Sequence, residues 1–328
     1  MIKTVTDLSA EVDRIRESGL QRGDLTGFEC LDKLYSIKQG SVTVVQGSPT
    51  HGKSELLFEL AMNQAEKYGK IIAVNSPETG SAEEVIIELI SKYIKMEVYK
   101  TSGFACDDRE YNKAKNWIDH HFVFFDDVQT YSVTEMFVEI DEWEKSNNKS
   151  IDIIIGEPYN ELKHDMRDFG GRQDIYLEAF MSEIRRYCKK KKKHFLLSIH
   201  PGVQALQKDP ATGIQYYPMP RAREAAGGQA MFRKAMSWIN IWRPPVGMID
   251  VENNMPFVDG QLIVVIEKSK PKGIGMKGQC RLVFDWKKNR YYEEINGYPN
   301  YAFDHEKQAK PFSQSTMPMS IEFTQAPF

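Results

Sequence analysis

Hydrophobic positions along this chain switch repeatedly between two periods. Short β-branched and aromatic runs, bounded by Gly, Pro, Asn or Asp, predict strands over 41–46, 71–75, 121–125, 151–155 and 195–200. Between them, apolar positions recur at helical spacing over 54–68, from Glu83 to about Lys95, and over 107–119, 132–145 and 175–192. Three further runs, 237–243, 262–267 and 280–285, are strand-like with no helical pattern between them. Strands that alternate with helices up to residue 200, and strands that dominate afterwards, predict an α/β fold. It has three layers, with a mostly parallel central sheet and a C-terminal antiparallel extension.

The two ends differ from this pattern. Over residues 1–24, Val5, Leu8, Val12, Ile15 and Leu20 lie roughly on one helical face with Asp and Glu between them. This is a helix packed at the N-terminus or a linker helix that docks on a neighbouring subunit. Residues 305–328 lack periodicity and are rich in Pro, Ser, Gln and Met, which predicts a flexible tail. The expected organisation is a linker helix over 1–24, one domain over 25–304 and a tail over 305–328. The tail ends in Pro327-Phe328, either a disordered end or a docking point for a partner.

Charge and cysteine content narrow the partners. The 328 residues hold 43 Lys and Arg against 46 Asp and Glu, so a nucleic-acid surface must be a local stripe or a ring made by assembly. Cys30, Cys106, Cys188 and Cys280 are far apart, which argues against a zinc site or a disulfide framework. No apolar run reaches 18 residues and no signal-peptide core is evident. A soluble protein of a reducing cytoplasm, without membrane contact, is expected.

The candidate chemistry starts at Gly47-Ser48-Pro49-Thr50-His51-Gly52-Lys53-Ser54, which fits G-x-x-x-x-G-K-[ST] between a predicted strand and a predicted helix. Strand, glycine loop and helix aim backbone N–H groups and the positive end of a helix dipole at a phosphate. Lys53 would reach the β- and γ-phosphates and Ser54 would ligate Mg²⁺. ATP with Mg²⁺ is the implied cofactor.

In an open α/β sheet the site lies at the carboxyl ends of the strands. Those ends hold Glu78, Asp126, Asp127, Glu157 and His200. Glu157 follows four buried apolar positions, as a second carboxylate that holds Mg²⁺ through water would. Glu78 is placed to polarise a water, or else to favour the start of the next helix. His200 is placed to report on the γ-phosphate. Lys268 and Lys270 leave a strand pointing the same way, able to reach a phosphate in cis or across an interface. The lysines 189–193 close a helix, where cations complement its dipole. A loop over about 201–226 carries Lys208, Arg221 and Arg223, and the stretch after the fourth strand carries Arg167 and Arg172. Basic loops at one end of a sheet suit contacts to a DNA backbone.

From about residue 20 to 295, these segments resemble the RecA-fold ATPase domain of hexameric replicative DNA helicases of the DnaB/Twinkle type and their phage relatives. Arg22-Gly23 through Thr26-Gly27-Phe28 and Leu31-Asp32 looks like the family's opening segment. Ser76-Pro77-Glu78 looks like the motif with the catalytic glutamate. Glu157-Pro158-Tyr159-Asn160-Glu161-Leu162 is similar to its Walker B segment. His200-Pro201 looks like its sensor, and Lys268-Ser269-Lys270 resembles the motif whose cations act on the neighbour's nucleotide. The resemblance implies a RecA-like P-loop NTPase that forms a six-membered ring with ATP sites between subunits. It also implies single-stranded DNA in a central channel, and primase, polymerase or single-stranded-DNA-binding protein as candidate partners. It places the protein in a bacterial or phage-infected cytoplasm, as a helicase without a primase domain. Arg243 and Tyr291 or Tyr292 match positions that sandwich the adenine in some relatives.

Three positions depart from the family pattern: Glu157 where it has Asp, Lys270 where it has Arg, and Ser237 where Asp is frequent. Lysine and arginine are not equivalent at a planar phosphate contact. These departures keep a second reading open, a RecA-like loader or recombination mediator that binds ATP and single-stranded DNA without unwinding. A small-molecule kinase is a third, but no acceptor pocket or lid is evident for it.

Overall fold

The computed structural model describes residues 2–103, 105–225 and 228–302; the expected tail lies outside them. The strands are β1 (Ser41–Gln46), β2 (Ile72–Asn75), β3 (Phe122–Phe124), β4 (Ile153–Gly156), β5 (His194–Ile199), β6 (Gln207–Lys208), β7 (Gln215–Tyr216), β8 (Ser237–Trp242), β9 (Gln261–Ser269), β10 (Gly278–Asp285), β11 (Arg290–Ile295) and β12 (Tyr298–Tyr301). The α-helices are α1 (Val5–Ser18), α2 (Glu29–Asp32), α3 (Lys53–Tyr68), α4 (Ala82–Ile94), α5 (Asp108–His121), α6 (Val133–Asn147), α7 (Gln173–Lys191) and α8 (Gly228–Lys234).

Ten strands form one sheet in the order β12-β11-β10-β9-β8-β1-β5-β4-β2-β3. The six from β8 to β3 are parallel. The four from β9 to β12 add antiparallel. Helices α3, α4 and α5 cover one face, packed on Val45, Ile72, Ile153 and Leu196. Helices α6, α7 and α8 cover the other, packed on Val44, Ile154, Phe195 and Leu197. Both faces are therefore dry, which is why β1 and β5 read as unbroken runs and every one of their residues is buried. The expected mixed sheet in three layers is the observed one.

The helices begin and end on local signals. Ser81 opens α4 and Ser132 opens α6, each accepting an amide three residues on, with Glu84 and Glu135 returning the bond to the cap backbone. Gly69 closes α3 in the left-handed conformation at φ 63°. Helix α1 is shorter than the 1–24 pattern, and none of its residues is buried.

Among the described residues four strands, β6, β7, β11 and β12, and two short helices, α2 and α8, were not expected. β11 and β12 form a hairpin across Asn296-Gly297, with both turn residues at positive φ (54° and 78°). Asn-Gly is the preferred two-residue turn of this kind. Its strands lack an alternating apolar pattern because β11 begins on a buried charge, Arg290. The 201–226 loop contains the small β6–β7 ladder, and α8 follows it.

Candidate nucleotide site

The strand ends that the pattern singled out converge. β1 sits between β5 and β8, and β4 and β2 follow on the β5 side, all pointing the same way. The Gly47–Ser54 loop, Glu78, Glu157, His200 and Arg243 thus leave the sheet at one edge. Two glycines make the loop possible. A Cβ on Gly47 would lie 2.6 Å from Ile241 Cγ1. Gly52 has φ +85°, and a Cβ there would meet the Tyr291 hydroxyl at 2.6 Å and the Arg243 guanidinium at 3.3 Å. Gly52 caps α3 with no side-chain acceptor, so the first N–H groups of that helix are not satisfied by a cap of their own. Such a cradle fits a phosphate.

Lys53 is buried, and its Nζ lies 3.2 Å from His200 Nδ1 and 3.5 Å from the Ser48 carbonyl. Burial lowers its pKa, opposed by the charges of Glu157 and Glu78. His200 Nε2 lies 3.1 Å from Glu78 Oε2. A neutral imidazole satisfies both contacts in one tautomer, Nδ1 accepting from the ammonium and Nε2–H donating to the carboxylate. Glu78 does not cap α4; Ser81 does that, which leaves the Glu78 carboxylate to His200.

Glu157 is 1% exposed. Its Oε2 accepts from Ser76 Oγ at 3.0 Å, and its Oε1 has no partner among the described residues. Burial pushes its carboxyl up to about 7; the nearby hydroxyls of Ser54 and Ser76 and the charge of Lys53 oppose that, and the charge of Glu78 adds to it. A hydroxyl beside a carboxylate with a free buried oxygen is a donor set for Mg²⁺, Ser54 directly and Glu157 directly or through water. Among the described residues no cluster of three His, Cys, Asp or Glu side chains stands ready for a metal. The remaining ligands of an ion here would be phosphate oxygens and water, as Mg²⁺ prefers.

Arg243 donates its backbone N–H to His51 Nδ1 at 3.4 Å, and its guanidinium lies 6.0 Å from the centre of the Phe284 ring. Burial, then the charges of Arg243 and Lys53, lower the His51 pKa to about 4, so His51 is neutral. Tyr291 departs from its expected role. Its ring is 0% exposed, packed 5.1 Å from Phe284, and its backbone N–H donates to Glu59. No face of that ring is open to a base; its hydroxyl lies instead beside Gly52, where it would come within 2.6 Å of a Cβ. Tyr292 is half-buried against Tyr301.

Lys268 and Lys270 are elsewhere. β9 runs against β8, and Lys268 pairs with Trp238 near the start of that strand. Both lysines therefore lie toward the opposite end of the sheet from this chain's own Gly47–Ser54 loop, which removes the cis possibility. Lys268 Nζ donates to the carbonyls of Phe232 and Arg233 at the end of α8. Burial first, then Lys270 and Arg185, lower its pKa to about 8. Lys270 is exposed.

The basic residues of the loops are all exposed: Arg172 (paired with Asp174 at 2.8 Å), Lys208 in β6, Arg221 and Arg223. Arg221 and Arg223 line a cavity of about 760 Å³ with Arg233, Lys277 and Glu267. One residue of the site, Ser76, was visible only as a neighbour of Glu78. Outside the site, Gln204, whose Oε1 accepts from Ser48 Oγ at 2.8 Å, belongs to no motif.

A phosphate cradle at the end of β1, a carboxylate at the end of its neighbour but one, and this strand order define a P-loop domain with RecA-like topology. The chain belongs to the DnaB-like helicase C-terminal domain family, whose model matches residues 23–195. It is 27% identical over 207 residues to the Twinkle homolog protein, chloroplastic/mitochondrial, of Arabidopsis thaliana; the match takes in 60% of this chain and 28% of that protein. The fold matches the ATPase domain of G40P at TM-score 0.69 and 16% identity, covering 89% of this chain and 99% of that one. It also matches a DnaB-like replicative helicase described with its primase interactions, at TM-score 0.67 and 17% identity, covering 88% and 68%. No helix among the described residues is long and apolar enough to cross a membrane.

Proposed function

We propose that this chain is the ATP-driven motor domain of a ring-forming DNA helicase that grips single-stranded DNA in a central channel and unwinds duplex DNA during replication. The observation that carries this reading is the linked set Lys53–His200–Glu78 beside Ser54–Glu157, at the strand ends of a DnaB-family domain. Family membership disfavours the loader or mediator alternative.

ATP with Mg²⁺ supplies the phosphoanhydride bond and the charge neutralisation on its phosphates. The amides of Gly47–Ser54 orient the phosphates. Lys53 leaves Nδ1 of His200 and donates to phosphate oxygens. His200, still donating from Nε2, holds the Glu78 carboxylate, which orients the attacking water and accepts its proton. Glu157 and Ser54 would hold the Mg²⁺. Arg243 stands beside the loop as a neighbour of the bound nucleotide. Lys270, with Lys268 behind it, meets the nucleotide of the next subunit, so each site is shared within a hexameric ring. Arg172, Lys208, Arg221 and Arg223 face the DNA backbone. Helix α1, with Val5 79% and Val12 50% exposed, is the linker that docks on the neighbouring subunit, and residues 25–304 form the motor domain. The protein works in a bacterial or phage-infected cytoplasm beside primase, polymerase or single-stranded-DNA-binding protein.

The test joins two measurements. Oligo(dT) should stimulate ATP hydrolysis, and the protein should displace a strand from a forked duplex only with hydrolysable ATP. Stimulated hydrolysis without displacement would return the loader reading, and no hydrolysis at all would remove both.

A further inference from the structure

Tyr217 and Pro218, inside the segment between β5 and α8, are each tied to the nucleotide loop through one intermediate side chain or residue pair. Gln204 forms one tie: its Oε1 accepts from Ser48 Oγ at 2.8 Å, and its Nε2 donates to the Pro218 carbonyl at 3.3 Å. Trp242 and Arg243 form the other. Trp242 Nε1 donates to the Tyr217 carbonyl at 2.8 Å, and the next residue donates its backbone N–H to His51 Nδ1 at 3.4 Å. The ends of the same segment are pinned to each other, with the Gly202 N–H donating to the Glu224 carbonyl at 2.6 Å and Pro201 bridging Ala225. The segment carrying Lys208, Arg221 and Arg223 is therefore a closed unit with two polar ties to the phosphate loop.

Ser48 is the sensitive point. It is 1% exposed, its hydroxyl serves Gln204, and its carbonyl lies 3.5 Å from Lys53 Nζ. When Lys53 turns toward a phosphate, that carbonyl loses its cation and the Ser48 peptide is free to reorient. The Gln204 amide reads such a change in a directional way. Pro218 offers only a carbonyl, so the amide must present NH₂ to it and oxygen to the serine. We propose that Gln204 is a positioning residue that couples occupancy of the Gly47–Ser54 loop to the placement of the 207–224 segment, and so to single-stranded DNA binding. The inference rests on the reading above that this segment contacts DNA.

The experiment compares the full-length protein with its Gln204→Leu and Gln204→Glu variants. Leucine removes both hydrogen bonds; glutamate keeps an acceptor for Ser48 but sets a carboxylate against the Pro218 carbonyl. The readouts are ATP hydrolysis without DNA, its stimulation by oligo(dT), and oligo(dT) affinity with and without a non-hydrolysable ATP analogue. Linked sites of this kind typically change each other's affinity by about 5- to 150-fold, reciprocally. The expected result is DNA-free hydrolysis within about twofold of the unmodified protein, with the analogue's effect on oligo(dT) affinity falling toward 1 in both variants. Loss of basal hydrolysis in proportion to stimulation would mark a merely structural role and overturn the proposal. Stimulation and linkage unchanged in both variants would also overturn it, while leaving the DNA reading intact. An unmodified protein that hydrolyses ATP but shows neither stimulation nor linkage would overturn the DNA reading and the inference with it.

Discussion

Arg290 grips Glu59 with two nitrogens, Nε at 2.8 Å from Oε2 and Nη2 at 2.6 Å from Oε1, and both side chains are 0% exposed. Glu59 is on α3, one turn and a half beyond Lys53, and it also accepts the backbone N–H of Tyr291. The pair ties the helix that starts at the phosphate loop to the antiparallel extension. Removing one partner leaves a buried charge. Arg290→Met alone should therefore destabilise the protein by about 3–5 kcal/mol, read from denaturant unfolding. Arg290→Met with Glu59→Leu should lose less than either single change. If the double variant were the least stable of the three, the charges would be contributing more than their burial costs.

Lys53→Ala should lower steady-state ATP hydrolysis by at least about 10²-fold, the usual scale for removing one group that stabilises developing charge. His200→Ala should reduce hydrolysis as well, since it frees both Lys53 and Glu78. Normal turnover by Lys53→Ala would end the nucleotide-site assignment.

Glu157 sets a pH dependence. Its carboxyl titrates near 4.5 in the unfolded chain and at about 7 in the folded one. Between those values the folded state holds the proton and the unfolded state has lost it, so this group's contribution to stability falls as pH rises from about 4.5 to about 7. The whole span is worth on the order of 3 kcal/mol. In nucleotide-free protein, Tm should drop more steeply across that window than it does in Glu157→Gln. Binding of Mg²⁺ with nucleotide needs the carboxylate, so its affinity should rise over the same range. Parallel melting profiles for the two proteins would refute the assignment.

If the sites are shared, Lys270→Ala and Glu78→Ala subunits, each inactive alone, should regain part of the activity when mixed, because some interfaces then combine an intact Glu78 with an intact Lys270. Hydrolysis measured across mixing ratios decides this; a flat profile would place the cations outside the reaction.

Much of this site was legible in the residue pattern for one physical reason. A sheet covered on both faces turns its inner strands into unbroken apolar runs, and the polar residue that ends each run marks the working edge. Gly47 to Ser54, Glu78, Glu157 and His200 all lie on that edge. The rest depended on partners far away in sequence. Arg290 starts a strand because Glu59, 231 residues earlier, neutralises it. Tyr291 matched a position that sandwiches the adenine in some relatives, yet its ring packs on Phe284 and is buried. Lys268 was placed with Lys270 to reach a phosphate, yet its ammonium closes the carbonyl end of α8. The Asn296-Gly297 turn did carry a local signal, and the charges on either side of it obscured the hairpin.

The position of Lys270 at the far end of the sheet from Gly52 has a consequence for how copies can meet. If Lys270 meets a neighbour's nucleotide, a two-fold pair serves it only when the two sheets run antiparallel, each lysine edge facing the other's loop, and that contact closes at two copies. A head-to-tail contact also sets one copy's lysine edge on the next copy's loop edge, and repetition of that contact either closes on itself or grows as a helix. What the opposed directions of β8 and β9 fix within a single subunit is that its cations and its phosphate loop lie toward different ends of the sheet, so a site that uses both would need two copies.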